Sequence, residues 1–267
     1  MRIRVSHQIV HRFDPSARTV NQILRLTPLS FDSQYVLRWR LDIDADGARR
    51  ETEDAHGNAV TSYSRYGPIE RVTISAVGEV ETSDAAGIVR GAAERLPPEM
   101  YLRESPLAQL NGALRAFAAE ATSGADSPLD SMHRLMAALH EGLPHHPEEK
   151  DAAGSAIEAF ALRRARAHDF AHIFIACARW RGIPARFVAG YRLAEAGAHE
   201  WAEVYIPELG WVAFDATVPI CPDDRYVRVA IGFDGQDGAM TRSAHSGGAE
   251  KVEAAIRVEQ AGVQTQA

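Results

Sequence analysis

The spacing of apolar side chains changes twice along this chain of 267 residues, and those two changes restrict its fold more than any single motif. Up to about residue 83 apolar and polar residues alternate, the period of a half-buried strand. Ile3, Val5, Ile9 and Phe13 mark a first strand, Ile23-Leu24-Arg25-Leu26-Thr27-Pro28 ends a second, and Tyr35 to Ile43 alternates through Val36, Leu37, Trp39 and Leu41. Asp54-Ala55-His56-Gly57-Asn58 is turn chemistry, with a glycine available for positive φ. Val60 to Tyr66 and Val72 to Val80 supply the last strands. Residues 1–83 are therefore expected to form a small β-sandwich.

Alanine and glycine take over between Thr82 and Ala93, Leu96-Pro97-Pro98 marks a linker, and a helical period follows. Ser105-Pro106 and Ser127-Pro128 each place a serine N-cap before a proline at the first helical position. The first is expected to open a helix through Leu107, Leu110, Leu114 and Phe117, the second one through Leu129, Met132, Leu135, Met136 and Leu139. Phe170, Ile173, Phe174 and Cys177 recur at i, i+3, i+4, i+7, and Gly182 stops that helix before Ile183-Pro184. The strand pattern then returns in Ala185 to Leu193, His199 to Ile206, Trp211 to Asp215, Tyr226 to Ile231 and Val252 to Val258. The expectation is an α+β protein: a β domain at 1–83, a helical part at 84–155, a core of helices on an antiparallel sheet at 156–260, and a loose tail at 261–267.

Bulk properties exclude several roles. A hydrophobic fraction of 46% gives ample core material. A net charge of −7 with scattered basic residues offers neither a nucleic-acid groove nor affinity for an anionic membrane. The alternating N-terminus lacks the apolar run of a signal peptide, and no stretch of 18 apolar residues occurs, so a soluble cytoplasmic protein is expected. Cys177 and Cys221 are too few for a disulfide framework and lack metal-ligand spacing. No cofactor is expected.

One ordered arrangement carries chemistry: a helix start near residue 167, a strand bearing His199, and a next strand ending in Asp215. A cysteine at a helix N-terminus has its thiolate favoured by the dipole and the unpaired N–H groups. A histidine on a neighbouring strand takes its proton, and an aspartate orients the imidazole. Ala165-Arg166-Ala167-His168-Asp169-Phe170-Ala171-His172, Gly182 to Tyr191, His199-Glu200-Trp201-Ala202-Glu203 and Gly210-Trp211-Val212-Ala213-Phe214-Asp215-Ala216-Thr217 together resemble the core of bacterial transglutaminase-like proteins. Leu24 to Pro28, Asp54 to Asn58 and Cys221 to Ala230 resemble flanking signatures of that family. The resemblance implies a papain-like core, acyl transfer on amide substrates by a Cys-His-Asp triad, and a peptide or protein as partner. His199 and Asp215 take the family's His and Asp, with Arg166, His168, Asp169 and Trp201 about the cleft.

The family's cysteine falls on Ala167. A methyl group has no lone pair, so no acyl-enzyme forms there, a loss on the order of 10⁴ to 10⁶ in rate. Cys177 lies along the helix on its core stripe and is no substitute. Ala165, Arg166, His168, Glu200 and Ala216 also depart from the family pattern, as do Phe233 and Gly235, which indicates natural drift to a pseudoenzyme. Two alternatives stand beside it: an active cysteine peptidase, amidase or transglutaminase if the gene encodes cysteine at 167, and a metal-assisted hydrolase using His168, His172 and His199, since two histidines at i, i+4 share a helix face. His145-His146 before Pro147 reads as a polar loop, and Arg163-Arg164-Ala165-Arg166 as a solvated helix face.

Overall fold

The computed structural model describes residues 1–147 and 154–262. Two antiparallel sheets and four α-helices form an α+β fold among these residues. Two long strands, β1 (Arg2–Thr27) and β4 (Ala59–Thr82), pair along their lengths from Arg2↔Glu81 to Thr27↔Ala59. β1 opens with strict alternation of exposed and buried residues, so Ile3, Val5 and Ile9 enter the core while their neighbours face water. β2 (Gln34–Ile43) pairs with one half of β4 and β3 (Ala48–Glu53) with the other. The expected sandwich is thus built from one continuously hydrogen-bonded sheet. The two runs read separately around Ile9 and Leu24 are one strand with shifts of register between Arg12 and Thr19.

The outer edge of β1 is closed by the end of the chain. β10 (Thr241–Ser246) pairs from Thr19↔Ser246 to Leu24↔Thr241, and β11 (Ala249–Gln260) from Ile3↔Gln260 to Asp14↔Ala249. Residues 241–260, assigned by sequence to the core, therefore complete the N-terminal sheet. An open β1 edge would leave a long row of backbone donors and acceptors unpaired, and β11 satisfies them. Ala261 N–H continues the pairing to Arg2 O at 2.8 Å, so 261 is not loose tail, and the expected tail at 263–267 lies outside the described residues.

Of the two Ser-Pro helix starts, one stands. α2 (Pro128–Gly142) begins where Ser127 Oγ accepts from Asp130 N–H at 3.1 Å. α1 (Gly112–Ala121) begins later than Ser105, with Asn111 Oδ1 accepting from Leu114 N–H at 3.0 Å. Ser105 Oγ is engaged by Arg179 at 3.0 Å and Leu107 N–H by Asp234 at 3.0 Å, which ties that segment to the core in a non-helical path. After α3 (Ala156–Leu162), α4 (Ala167–Trp180) runs buried on nearly all sides, as its apolar run Phe170 to Ala178 demands, and packs on the second sheet. Gly182 ends it at φ +75°.

The second sheet has the order β5-β8-β7-β6-β9, from β5 (Ile88–Val89), β6 (Ala185–Arg192), β7 (His199–Ile206), β8 (Gly210–Phe214) and β9 (Tyr226–Gly232). Its β9 edge is not left open. Asn58 exchanges two 2.8 Å hydrogen bonds with the backbone of Ile231, and Gln34 exchanges bonds of 2.8 and 2.9 Å with that of Arg228. Two side-chain amides thus continue the ladder and fasten one sheet to the other. Between the sheet's strands, Arg186 lies 3.8 Å over the Trp211 ring and pairs with Glu203 and Glu94, while Arg228 takes the other oxygen of Glu203.

Candidate active site

The site gathers where α4 starts beside β7. Asp169, at the third position of α4, accepts from Arg166 N–H at 2.9 Å and fixes where the helix begins. Ala167 is the first residue of α4 and 8% exposed. His199 opens β7 opposite Gly190 on β6. A side chain at Gly190 would meet Val227 O at 2.0 Å and the Trp201 ring at 2.8 Å, so only glycine lets the strands close here.

His199 Nε2 donates to Asp215 Oδ2 at 2.6 Å. Asp215 stands just beyond β8 and receives three more hydrogen bonds, from Thr217 N–H at 2.9 Å, the Thr217 hydroxyl at 2.7 Å and the Tyr226 hydroxyl at 2.8 Å. Burial opposes ionisation of Asp215, but these donors outweigh it and hold its pKa below the usual carboxylate range. The second nitrogen of His199 is taken as well: Nδ1 lies 2.8 Å from Glu195 Oε2, and Arg192 holds the other Glu195 oxygen at 2.6 Å. Burial disfavours the imidazolium, yet the hydrogen bonds to Asp215 and Glu195 prevail and raise the His199 pKa to about 9. Both ring nitrogens are thus directed at carboxylates, an arrangement that favours the doubly protonated ring.

The cleft beside this pair is a cavity of about 620 Å³ lined by Arg166, Ala167, His168, Glu195, His199 and Glu200 among others. His145, read as polar loop, lines it too. Arg166 and His168 line this cavity, whereas Trp201 and Asp169 do not. Trp201 is 3% exposed and stacks beneath the His199 ring at 6.2 Å, and Asp169 is 2% exposed in its capping role.

The three-histidine metal alternative fails on donor geometry. His172 Nε2 accepts from Gly235 N–H at 2.9 Å, its ring stacks on Phe187, and burial lowers its pKa to about 4. His199 has both nitrogens on carboxylates, and His168 Nε2 faces Asp169 Oδ1 at 3.0 Å. No group of three potential ligands converges among the described residues. The thiols are no better placed to react, since burial pushes Cys177 up to about 12 and Cys221 up to about 11. Sequence reasoning missed Glu195, Thr217 and Tyr226. The one available signal for Glu195 was an acid four residues before His199 in a loop without periodicity.

Sheet, buried helix and His–Asp pair together form an α+β scaffold with a polar cleft at the start of α4. Residues 3–81 match the bacterial transglutaminase-like N-terminal region and residues 115–216 the transglutaminase-like superfamily core. A solved structure from Cytophaga hutchinsonii, described as a candidate cysteine protease, superposes with a TM-score of 0.80 at 21% identity, covering 100% of this chain and 92% of that one. An uncharacterized protein of Mycobacterium leprae is 22% identical over 96% of this chain and 98% of its own length. One of Mycobacterium tuberculosis is 23% identical over 88% and 85%. The chain belongs to the transglutaminase-like superfamily and carries its bacterial N-terminal β region. No helix among the described residues is long and apolar enough to cross a membrane.

Proposed function

We propose that this protein is a catalytically silent member of its superfamily that binds a peptide or protein segment in the retained cleft. The observation that carries this reading is the Ala167 methyl at the N-terminus of α4, in a cleft whose histidine has both nitrogens engaged. Covalent acyl transfer needs a nucleophile and a base with a free lone pair, and this constellation supplies neither. What persists is shape: a cavity bounded by a helix N-terminus and an ordered polar pair. A cytoplasmic location belongs to the same proposal and is supported by the two free thiols.

Ala167→Cys tests the reading. A thiol restored at the start of α4, beside the His199 imidazolium, is expected to react with iodoacetamide far faster than a free thiol. Ordinary reactivity would mean that the cleft no longer has the geometry of its relatives. Hydrolysis of a peptide amide by the unaltered protein, abolished in His199→Ala, would refute catalytic silence.

A further inference from the structure

A second cavity of about 590 Å³ lies against the cleft and shares Arg166, His168 and Glu200 with it. Its far walls are mainly apolar: Ile9, Leu107, Phe187, Val252 and Ile256 come from both sheets and the segment before α1, and Met240 from the turn before β10, with His7 and His172 also lining it. Such a volume suits a large side chain or a small ligand. Glu200 stands at the junction. It pairs with Ala189 across β6 and lies on the same face of β7 as Ala202 and Val204, the face on which α4 packs.

Among the described residues the other carboxylates around the cleft are engaged: Asp215 by His199, Thr217 and Tyr226, Glu195 by His199 and Arg192, Asp169 by the start of α4. The Glu200 side chain makes no hydrogen bond or ion pair among the described residues, although burial raises its pKa. This side chain is partly exposed where the two cavities meet, and a carboxylate there without a partner is open to a cation from solution; the pattern this chain resembles has alanine at this position. Among the described residues the carboxylates at Asp169, Glu195, Glu200 and Asp215 outnumber the cations at Arg166, Arg192 and His199 by one, and Glu200 is the one left without a partner, so a further cation is favoured at this junction.

We propose that Glu200 anchors the ammonium or guanidinium group of a bound peptide, while an adjoining apolar group of that peptide fills the second cavity. The proposal rests on the binding reading of the cleft. It assigns the ligand a chemistry, a cation next to a hydrophobic group, and gives Glu200 the role of specificity determinant.

The test uses n-alkylammonium ions from butyl to octyl as probes, with alcohols and carboxylates of equal chain length, titrated into the whole protein and followed by amide chemical shifts. Amines are expected to bind, with affinity rising about fourfold per methylene while the chain fills the apolar cavity. Alcohols and carboxylates should bind at least about tenfold more weakly, and Glu200→Gln should weaken the amines by roughly tenfold to a hundredfold while leaving the alcohols unchanged. Ala254→Phe, on the exposed β11 wall of the cavity, should flatten the dependence on chain length. Carboxylates binding as tightly as amines, or amine affinity unchanged in Glu200→Gln, would overturn the assignment. The titration reads occupancy and not turnover, so its failure is separable from failure of the catalytically silent reading.

Discussion

Replacing Glu195 with glutamine tests whether His199 is held as an imidazolium by two carboxylates. Raising the pKa from 6.5 to about 9 corresponds to a stability contribution on the order of 3 kcal/mol. Because the folded-state pKa is the higher one, this contribution is complete below the unfolded value of 6.5 and is lost as pH rises through about 9. Asp215 is buried, whereas Glu195 is 31% exposed, so water screens the Glu195 bond and gives it the smaller share, about 1 kcal/mol. Glu195→Gln is therefore expected to be less stable than the parent by about 1 kcal/mol at about pH 6. The difference should vanish or reverse near pH 10, where the single remaining N–H stays on Asp215 and a bare nitrogen faces the Glu195 carboxylate. Urea unfolding across this pH range measures the difference, and imidazole nitrogen shifts report the protonation state directly. A stability gap of equal size at both ends of the range, or a neutral His199 at pH 7, would refute the clamp.

The bonds that Asn58 makes to Ile231 lead to a second expectation. Asn58→Ala leaves a buried N–H and C=O unpaired on β9 and should cost about 2–4 kcal/mol in urea unfolding; a loss below about 1 kcal/mol would show that the amide does not fasten the two sheets. The two thiols should resist a disulfide reagent in the native protein and react once it unfolds, because burial raises both pKa values. Rapid native modification of Cys221 would contradict its packing.

Local rules sufficed wherever local chemistry decided the outcome. Alternation placed Ile3, Val5 and Ile9 inside, and Ser127-Pro128 started α2, because only near neighbours are involved. Ser105-Pro106 obeys the same rule and still fails as a cap, since its hydroxyl binds Arg179, a partner supplied by a distant helix. The strand at Val252 to Val258 was legible but its partner was not: period specifies a strand and its buried face, never which edge it joins. In the site, His199 and Asp215 could be read from ordered motifs. Glu195 could not, because the loop Leu193 to Ala198 has no period and its geometry follows from Arg192 and His199.

The closure of β1 by β11 also sets an order of events during synthesis. β1 takes one neighbour, β4, from a segment made soon after it, but its other neighbour, β11, is made only after all the strands of the second sheet. Through that interval β1 presents an open edge with alternating apolar residues, the kind of surface on which strands from other chains add. The second sheet, whose strands are complete by Gly232, can assemble first and offer β9 for Asn58 and Gln34 to grip. Completion of the first sheet thus waits until β11 has been made, and removing β11 exposes the edge of β1.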